Sequence, residues 1–524
     1  MTRGARRGGR LLGFVAPLAL AAYAVCALAL WSEPDWRPEW DSALYVLTGR
    51  SLAEGGGYRY QGEPFRLRPP GFPWLISLVS EDLFDPARLN RLVMGFAAAS
   101  AAAVYFAFAR VHGRTLALGA ALLAGTSPLV VERFNWVLSE FPFMTLLYLG
   151  FGCLAFAGDG PRARLAALTA ALAFGGAFWV RTAGVLVLPG LAILAFVQPT
   201  SERSRRILLV LGATLLLCAP WWLWARAAGG PPSDQLYLAD YATALLRVDP
   251  GDPSSPFLSP GAWLTRMQAN GTWGLRVLGR TTLGALDARV GALVAALVGL
   301  GVLRSLRRRP TLGEWFLLGY AALLLVYFVR EPRLVAPIVP FVYLHLLGAL
   351  ARLAEFAARA APRLPRGVVV ALGWLGLLGV NALRLPASLD ARSRPVLTEQ
   401  GEWSTLGARW NDVGRVAGWI RENTPPDAVI LSHDAPVYAL LTGRRTYTHR
   451  FAPGPQLLRK YAPDFVVFDR RTREGQRFAR LVAAAATRRW IVPSDQFEGG
   501  IGVFALSERP RVGAAGAEPS YDPR

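Results

Sequence analysis

The stretch PEWDSALYVLTGRSLAEGGGYRYQGEPFRLRPPGFPW, Pro38 to Trp74, decides how this chain is read. It follows an apolar run, Leu11 to Trp31. At 1.5 Å rise per residue, that run is long enough to cross the roughly 30 Å hydrocarbon core of a bilayer. The stretch itself carries Asp41, two arginines (Arg66, Arg68), a glycine triplet and a double proline. A chain that keeps so polar and aromatic a loop directly at a membrane surface has a use for it.

The rest of the chain supports the membrane reading. Its 524 residues are 53% hydrophobic and 18% charged, whereas a soluble protein carries about 25% charged residues. Apolar runs near span length recur to position 385. About eleven spans are predicted: 11–31, 91–110, 115–131, 137–157, 164–180, 183–198, 207–226, 287–303, 312–329, 333–351 and 367–385. The apolar stretch 70–84 is too short to cross and reads as a helix lying at the interface. The first run has a basic N-terminal flank and small residues (Ala19 to Ala29) that a signal peptidase could cut, but it is long enough to span and many spans follow, so it reads as an uncleaved first helix. Cys26, Cys153 and Cys218 all fall inside apolar runs, which excludes a loop disulfide framework and any metal-ligand spacing. The formal net charge of +21 would suggest nucleic acid for a soluble protein. Here many arginines sit in short loops between spans, where they orient a membrane protein, and no nucleic-acid partner is expected.

Those arginines set the topology. The N-terminus has Arg3, Arg6, Arg7 and Arg10. Alternate loops carry Arg110 and Arg114; Arg162 and Arg164; Arg203, Arg205 and Arg206; Arg304, Arg307, Arg308 and Arg309; then Arg352, Arg359, Arg363 and Arg366. With eleven spans these segments share one face, which the positive-inside rule makes cytoplasmic. The other face receives loops 32–90 and 227–286 and everything after 386. The expectation is a multi-pass protein of the inner (plasma) membrane, with residues 1–385 as its transmembrane domain and its C-terminal part outside.

After 386 the pattern changes. RWNDVGRVAGWIREN (409–423) has helical periodicity, and DAVILS (427–432), PDFVVFD (463–469) and RWIVPS (489–494) are short β-type runs. A small extracytoplasmic α/β domain is expected over 386–509, with 510–524 a disordered tail. His433 and Asp434 end a predicted strand, a position that can host a site. With no partner motif nearby, they read as a structural turn.

The outer face collects the unusual charges. Glu132 and Glu140 flank a helix junction in VVERFNWVLSEFPFMTLLY. Glu140 falls at or just inside the membrane, where an ionisable group is costly and needs a partner; an arginine on the same face would suffice. Arg68 precedes Pro69-Pro70, which fixes an extended backbone. VRTAG places Arg181, and VREPRLVAPIVP places Arg330, Glu331 and Arg333, at outer junctions. Single guanidiniums can simply snorkel to the surface. Several beside buried acids suit an anion, and the Arg fork matches phosphate. The implied job is to take a lipid phosphate from the outer leaflet while a carboxylate acts on a hydroxyl.

The ordered set WDSALYVLTGRSLAEGGGY, FRLRPPGFPWL, SPLVVERFNWVLSEFPFMTLL and VREPRLVAPIVPF resembles the multi-spanning glycosyltransferases of the GT-C fold. Within them it is similar to bacterial relatives of the protein O-mannosyltransferases and of the lipid A aminoarabinose transferase. VAGWIRENTPPDAVILS, LTGRRTYTH and PDFVVFD resemble the outer C-terminal domain of many members. The resemblance implies a polyprenyl-phosphate sugar as donor and a lipid, glycan or protein as acceptor. It implies Asp41 as the catalytic carboxylate, taking the acceptor's proton, and Arg68 as the residue that meets the donor phosphate. Arg333 and Arg66 are further phosphate candidates, and Arg181 joins the arginine set. Glu140, with Glu132, is a second acidic position for the acceptor or for a divalent metal shared with Asp41. There are departures. The protein mannosyltransferases have an Asp-Glu pair where this chain has Asp41-Ser42. The aminoarabinose group often has Lys where this chain has Arg68. The sequon Asn270-Gly271-Thr272 reads as coincidence.

Two other functions compete. A transporter would bind at midplane between inverted repeats, but no repeat is visible and the charges gather at one face. A membrane-anchored scaffold, with its function in the tail, would not need Asp41 and the arginines.

Overall fold

A computed structural model describes residues 3–32, 40–79, 85–157, 162–197, 202–228, 240–248, 254–308, 310–360, 366–389, 408–448, 458, 461–469, 476, 490–491 and 501–505. Helices dominate, because lipid offers backbone N–H and C=O groups no other partner. Every predicted span coincides with a helix. Among the described residues six helices are long and apolar enough to cross a bilayer: Ala87–His112, Ala163–Val180, Glu202–Ala227, Ala288–Arg308, Pro332–Phe356 and Leu372–Leu389. Phe14–Leu30, Arg114–Gly125, Glu140–Phe156, Thr182–Val197 and Leu312–Val326 are shorter apolar helices. The helix Pro86–His112 starts where Asp85 accepts a hydrogen bond from Arg88 N at 3.0 Å, with Pro86 in the first turn. An aromatic cluster of Tyr148, Phe151, Phe174, Phe316 and Phe341 fills the space between the central helices.

Two breaks in these helices position the site. The helix Ala163–Val180 ends at Arg181, whose backbone is extended, and a 3-10 turn over Thr182–Leu186 leads into Val187–Val197. Likewise the 3-10 turn Pro332–Ile338 precedes Val339–Ala360. Tyr148 and Tyr320 hold that second turn by donating to Pro337 O at 2.8 Å and Leu334 O at 2.9 Å.

The opening stretch folds into the helix Trp40–Ala53, a two-stranded hairpin (Arg59–Tyr60 with Glu63–Pro64) and the helix Gly71–Val79. Gly55 and Gly57 have φ of +75° and +78°, which turns the chain back. Gly71 permits a close approach: a Cβ there would lie 2.6 Å from Trp179 O. The helix Gly71–Val79 falls within the predicted interfacial stretch, whose residues 80–84 lie outside the described residues, as does Trp36.

The sequence predicts a loop over 227–286, and the structure places the helices Tyr241–Leu246 and Pro260–Leu283 there. Arg266, Arg276 and Arg280 made the second of these too polar to resemble a span. Its Asn270 is buried, at 4% exposure. Asn270 Nδ2 donates to Leu324 O, Leu325 O and Tyr327 O at 3.2, 2.9 and 2.7 Å, and its Oδ1 accepts from Arg330 Nε at 2.8 Å. The sequon asparagine is thus a clamp on the end of the helix Leu312–Val326.

Near the C-terminus the helices Ala408–Asn423 and Ala435–Thr442 accompany a five-stranded sheet. Its order is Arg445–Thr448, Val429–Ser432, Phe465–Asp469, Ile501–Ala505, Trp490–Ile491, with the first three strands parallel and the rest antiparallel. The predicted runs at 427–432 and 463–469 contain strands; most of 489–494 and all of 510–524 lie outside the described residues. Gln61 ties this sheet to the opening hairpin. Its side-chain amide donates to Thr446 O at 2.9 Å and accepts from Thr446 N at 2.8 Å, pairing with the edge strand as a backbone would. Arg445 and Glu63 meet beside it at 3.0 Å.

Candidate active site

The ends of these elements at the two helix breaks enclose, with the opening helix, a cavity of about 410 Å³. Asp41 enters from the first turn of the helix Trp40–Ala53, where its charge suits the helix N-terminus. Arg68 arrives on a bend just before Pro69-Pro70, Arg181 at the first helix break, and Arg333 at the second. All four line the cavity.

They form one network. Arg68 Nη2 meets Asp41 Oδ1 at 2.8 Å, and Arg333 Nη2 meets Asp41 Oδ2 at 2.5 Å. Arg333 also pairs with Glu331 and lies 3.6 Å from Glu140 Oε1. Arg181 Nη1 meets the same Glu140 oxygen at 2.6 Å. Hydroxyls complete the frame: Arg68 Nη1 donates to Tyr45 OH at 3.3 Å, Tyr45 OH and Ser139 Oγ share a hydrogen bond at 3.0 Å, and Arg181 Nη1 donates to Ser139 Oγ at 3.4 Å. Burial works against the charge of Asp41, but the Arg68 and Arg333 guanidiniums outweigh it and hold the carboxyl well below the usual aspartate range. One donor is left over. Arg68 Nε is buried without a hydrogen-bond partner, which is costly unless a ligand supplies one.

The network also decides what the site suits. Both oxygens of Asp41 are taken by guanidiniums, and Glu140 is paired with Arg181 and with the same Arg333. With Glu331 on Arg333 as well, three arginines face three carboxylates, and the three guanidiniums are the donors an anion entering the cavity would meet. Among the described residues no group of three or more His, Cys, Asp or Glu side chains is arranged to hold a metal ion.

Two of the sequence candidates stand elsewhere. Glu132 pairs with Arg280 at 2.9 Å and does not line the cavity. Arg66 is half-buried on the opening segment and does not line it either. Conversely, the structure adds residues the sequence did not single out. Tyr45 lies four residues after Asp41, one helical turn along the same face. Tyr241 and Tyr320 line the cavity from helices distant in sequence. His433 and Asp434, expected to be only a structural turn, line it from the C-terminal sheet.

Residues 67–224 match the family model described as dolichyl-phosphate-mannose-protein mannosyltransferase. No curated protein matches the chain in sequence. Among solved structures, the chain is similar to ArnT from Cupriavidus metallidurans bound to undecaprenyl phosphate, with 12% identity and a TM-score of 0.56 over 95% of this chain and 98% of that one. It is also similar to the archaeal oligosaccharyltransferase AglB from Archaeoglobus fulgidus in complex with an inhibitory peptide and a dolichol-phosphate. There the identity is 13% and the TM-score 0.54, over 94% of this chain and 74% of the other. The resemblance read from the opening stretch holds: this multi-pass membrane chain has the GT-C fold of membrane glycosyltransferases.

Proposed function

We propose that the protein is a glycosyltransferase that moves a sugar from a polyprenyl phosphate to an acceptor hydroxyl, with Asp41 as the catalytic carboxylate. One observation carries this reading: Asp41 is held on the cavity wall between two half-buried arginines, Arg68 and Arg333. A carboxylate that must accept a proton and guanidiniums that must neutralise a phosphate are thereby adjacent. The lipids bound by the two structural relatives, undecaprenyl phosphate and a dolichol-phosphate, are of the class this arrangement suits.

The proposed step begins with competition. The donor's phosphate takes hydrogen bonds from Arg68, including the unfilled Nε, and from Arg333. Asp41 loses part of its guanidinium shell and becomes the stronger base. It accepts the acceptor's hydroxyl proton as that oxygen attacks the anomeric carbon. The bond from anomeric carbon to phosphate oxygen breaks, its electron pair stays on the phosphate, and the arginines stabilise the growing charge. Attack opposite the leaving phosphate inverts the anomeric centre. Arg181 holds Glu140, which in turn faces Arg333 and fixes the guanidinium that serves both partners.

By the distribution of arginines, the cavity opens on the extracytoplasmic side of the plasma membrane, and the region after 386 forms an extracytoplasmic domain. The acceptor is a lipid, glycan or protein that reaches that side. The test is turnover by the purified protein in detergent with a panel of polyprenyl-phosphate sugars and cell-envelope extract. Release of polyprenyl phosphate with at least one donor is expected; none with any donor counts against the transferase.

A further inference from the structure

We infer that the turn His433–Asp434 binds the hydroxyl groups of the donor's sugar and so sets which sugar is transferred. This rests on the proposed transferase reading and assigns to the C-terminal sheet a direct part in the site.

The cavity wall is divided by chemistry. Arg68, Arg181 and Arg333 supply its cationic side, contributed by the membrane half. His433 and Asp434 are the C-terminal residues that line it. An imidazole and a carboxylate are a poor match for a phosphate: the carboxylate repels it. They are a good match for a sugar, whose hydroxyls donate to carboxylates and accept from imidazole N–H groups. Aromatic side chains of Trp40, Tyr241 and Tyr327 line the same space and offer apolar faces for the sugar's C–H surface. At about 410 Å³ the cavity is near the lower end of the roughly 300–1,000 Å³ usual for small-molecule sites. That is room for one monosaccharide with its phosphate.

The backbone shapes the turn: Asp434 N donates to Ser432 Oγ at 3.3 Å, and Asp434 O accepts from Val437 N and Tyr438 N at 3.0 and 3.1 Å. The turn is also held in place from outside. The helix behind it packs on Trp40–Ala53, the helix that carries Asp41. The Gln61–Thr446 pairing fixes the neighbouring strand to the opening hairpin. A specificity element needs such support.

The test is binding by the full-length protein in nanodiscs. The probes are bare undecaprenyl phosphate and undecaprenyl-phosphate mannose, glucose, galactose and 4-amino-4-deoxyarabinose. The proteins are wild type, Asp434→Asn and His433→Ala. Expected is that at least one sugar lipid binds the wild type more tightly than the bare phosphate. That gain should fall by about tenfold or more in the variants, while their affinity for bare undecaprenyl phosphate stays at the wild-type value, which also reports an intact fold. A gain that persists in both variants, a wild type with no gain for any sugar, or a variant loss equal for bare and sugar-bearing lipid overturns the inference. A wild type that fails to bind even bare undecaprenyl phosphate overturns the transferase reading beneath it.

Discussion

Asp41 and Arg333 are 292 positions apart in the chain and meet at 2.5 Å. The contact joins the first turn of the opening helix to the break before a late helix, so the whole transmembrane half must fold around it. Both side chains are 11% exposed. A buried ion pair contributes little net stability against an apolar pair, but removing one partner leaves a stranded charge and costs about 3–5 kcal/mol. Arg333→Ala also releases Glu331 and loosens Glu140. It should lower the thermal unfolding midpoint in detergent markedly, and an unchanged midpoint would contradict the network.

The same pair fixes a pH signature. The folded carboxyl lies below its unfolded value of about 3.9, so its contribution is complete above that pH and is lost only as pH falls through the folded value. The difference in unfolding midpoint between wild type and Asp41→Asn should therefore be constant from about pH 5 to pH 8 and shrink below about pH 4. Unfolding scans across this range check it.

Arg68 has two separable properties, charge and fork. Arg68→Ala removes both and should lower the transfer rate by about 10²–10³-fold, as loss of an anion-stabilising donor does. Arg68→Lys keeps the charge without the planar fork and should recover part of that loss. Steady-state rates at saturating donor distinguish the two.

Glu132 provides the contrast. Its pair with Arg280 is partly exposed, and such pairs are worth about 0–1 kcal/mol. Glu132→Gln should leave both turnover and unfolding midpoint near wild-type values. A large loss of activity would return Glu132 to the site.

Asn270 serves three carbonyls and one guanidinium. Asn270→Ala strands them and should destabilise by about 1–3 kcal/mol. Because the side chain is buried, intact-mass measurement after expression in a glycosylating host should find Asn270 unmodified.

How legible was this in the sequence? The apolar helices were, because a bilayer enforces length and apolarity on each one separately. Asp41 and Arg68 stood out because their motifs resemble those of the GT-C transferases, and Arg181 and Arg333 because they fall at helix junctions; that all four line one cavity came from the structure. Their pairing was not: nothing local tells Asp41 that its second arginine lies near the end of the membrane half. Glu132 misled for the same reason, since a carboxylate at a helix end has the same local pattern whether it faces a cavity or a neighbouring helix. His433 and Asp434 were passed over because a short turn acquires its role only when the sheet docks, through Gln61 and Thr446, residues 385 positions apart. The helix Pro260–Leu283 was hidden by its arginines.

The central claim is that Asp41 takes the acceptor's proton during transfer from a polyprenyl-phosphate sugar. The most direct test is the release of polyprenyl phosphate by purified wild type and Asp41→Asn, run side by side with the same donors and cell-envelope acceptor. The predicted result is turnover by wild type and its loss in Asp41→Asn, with both proteins monodisperse and binding undecaprenyl phosphate. Equal turnover in the two would contradict it and remove Asp41 from the chemistry.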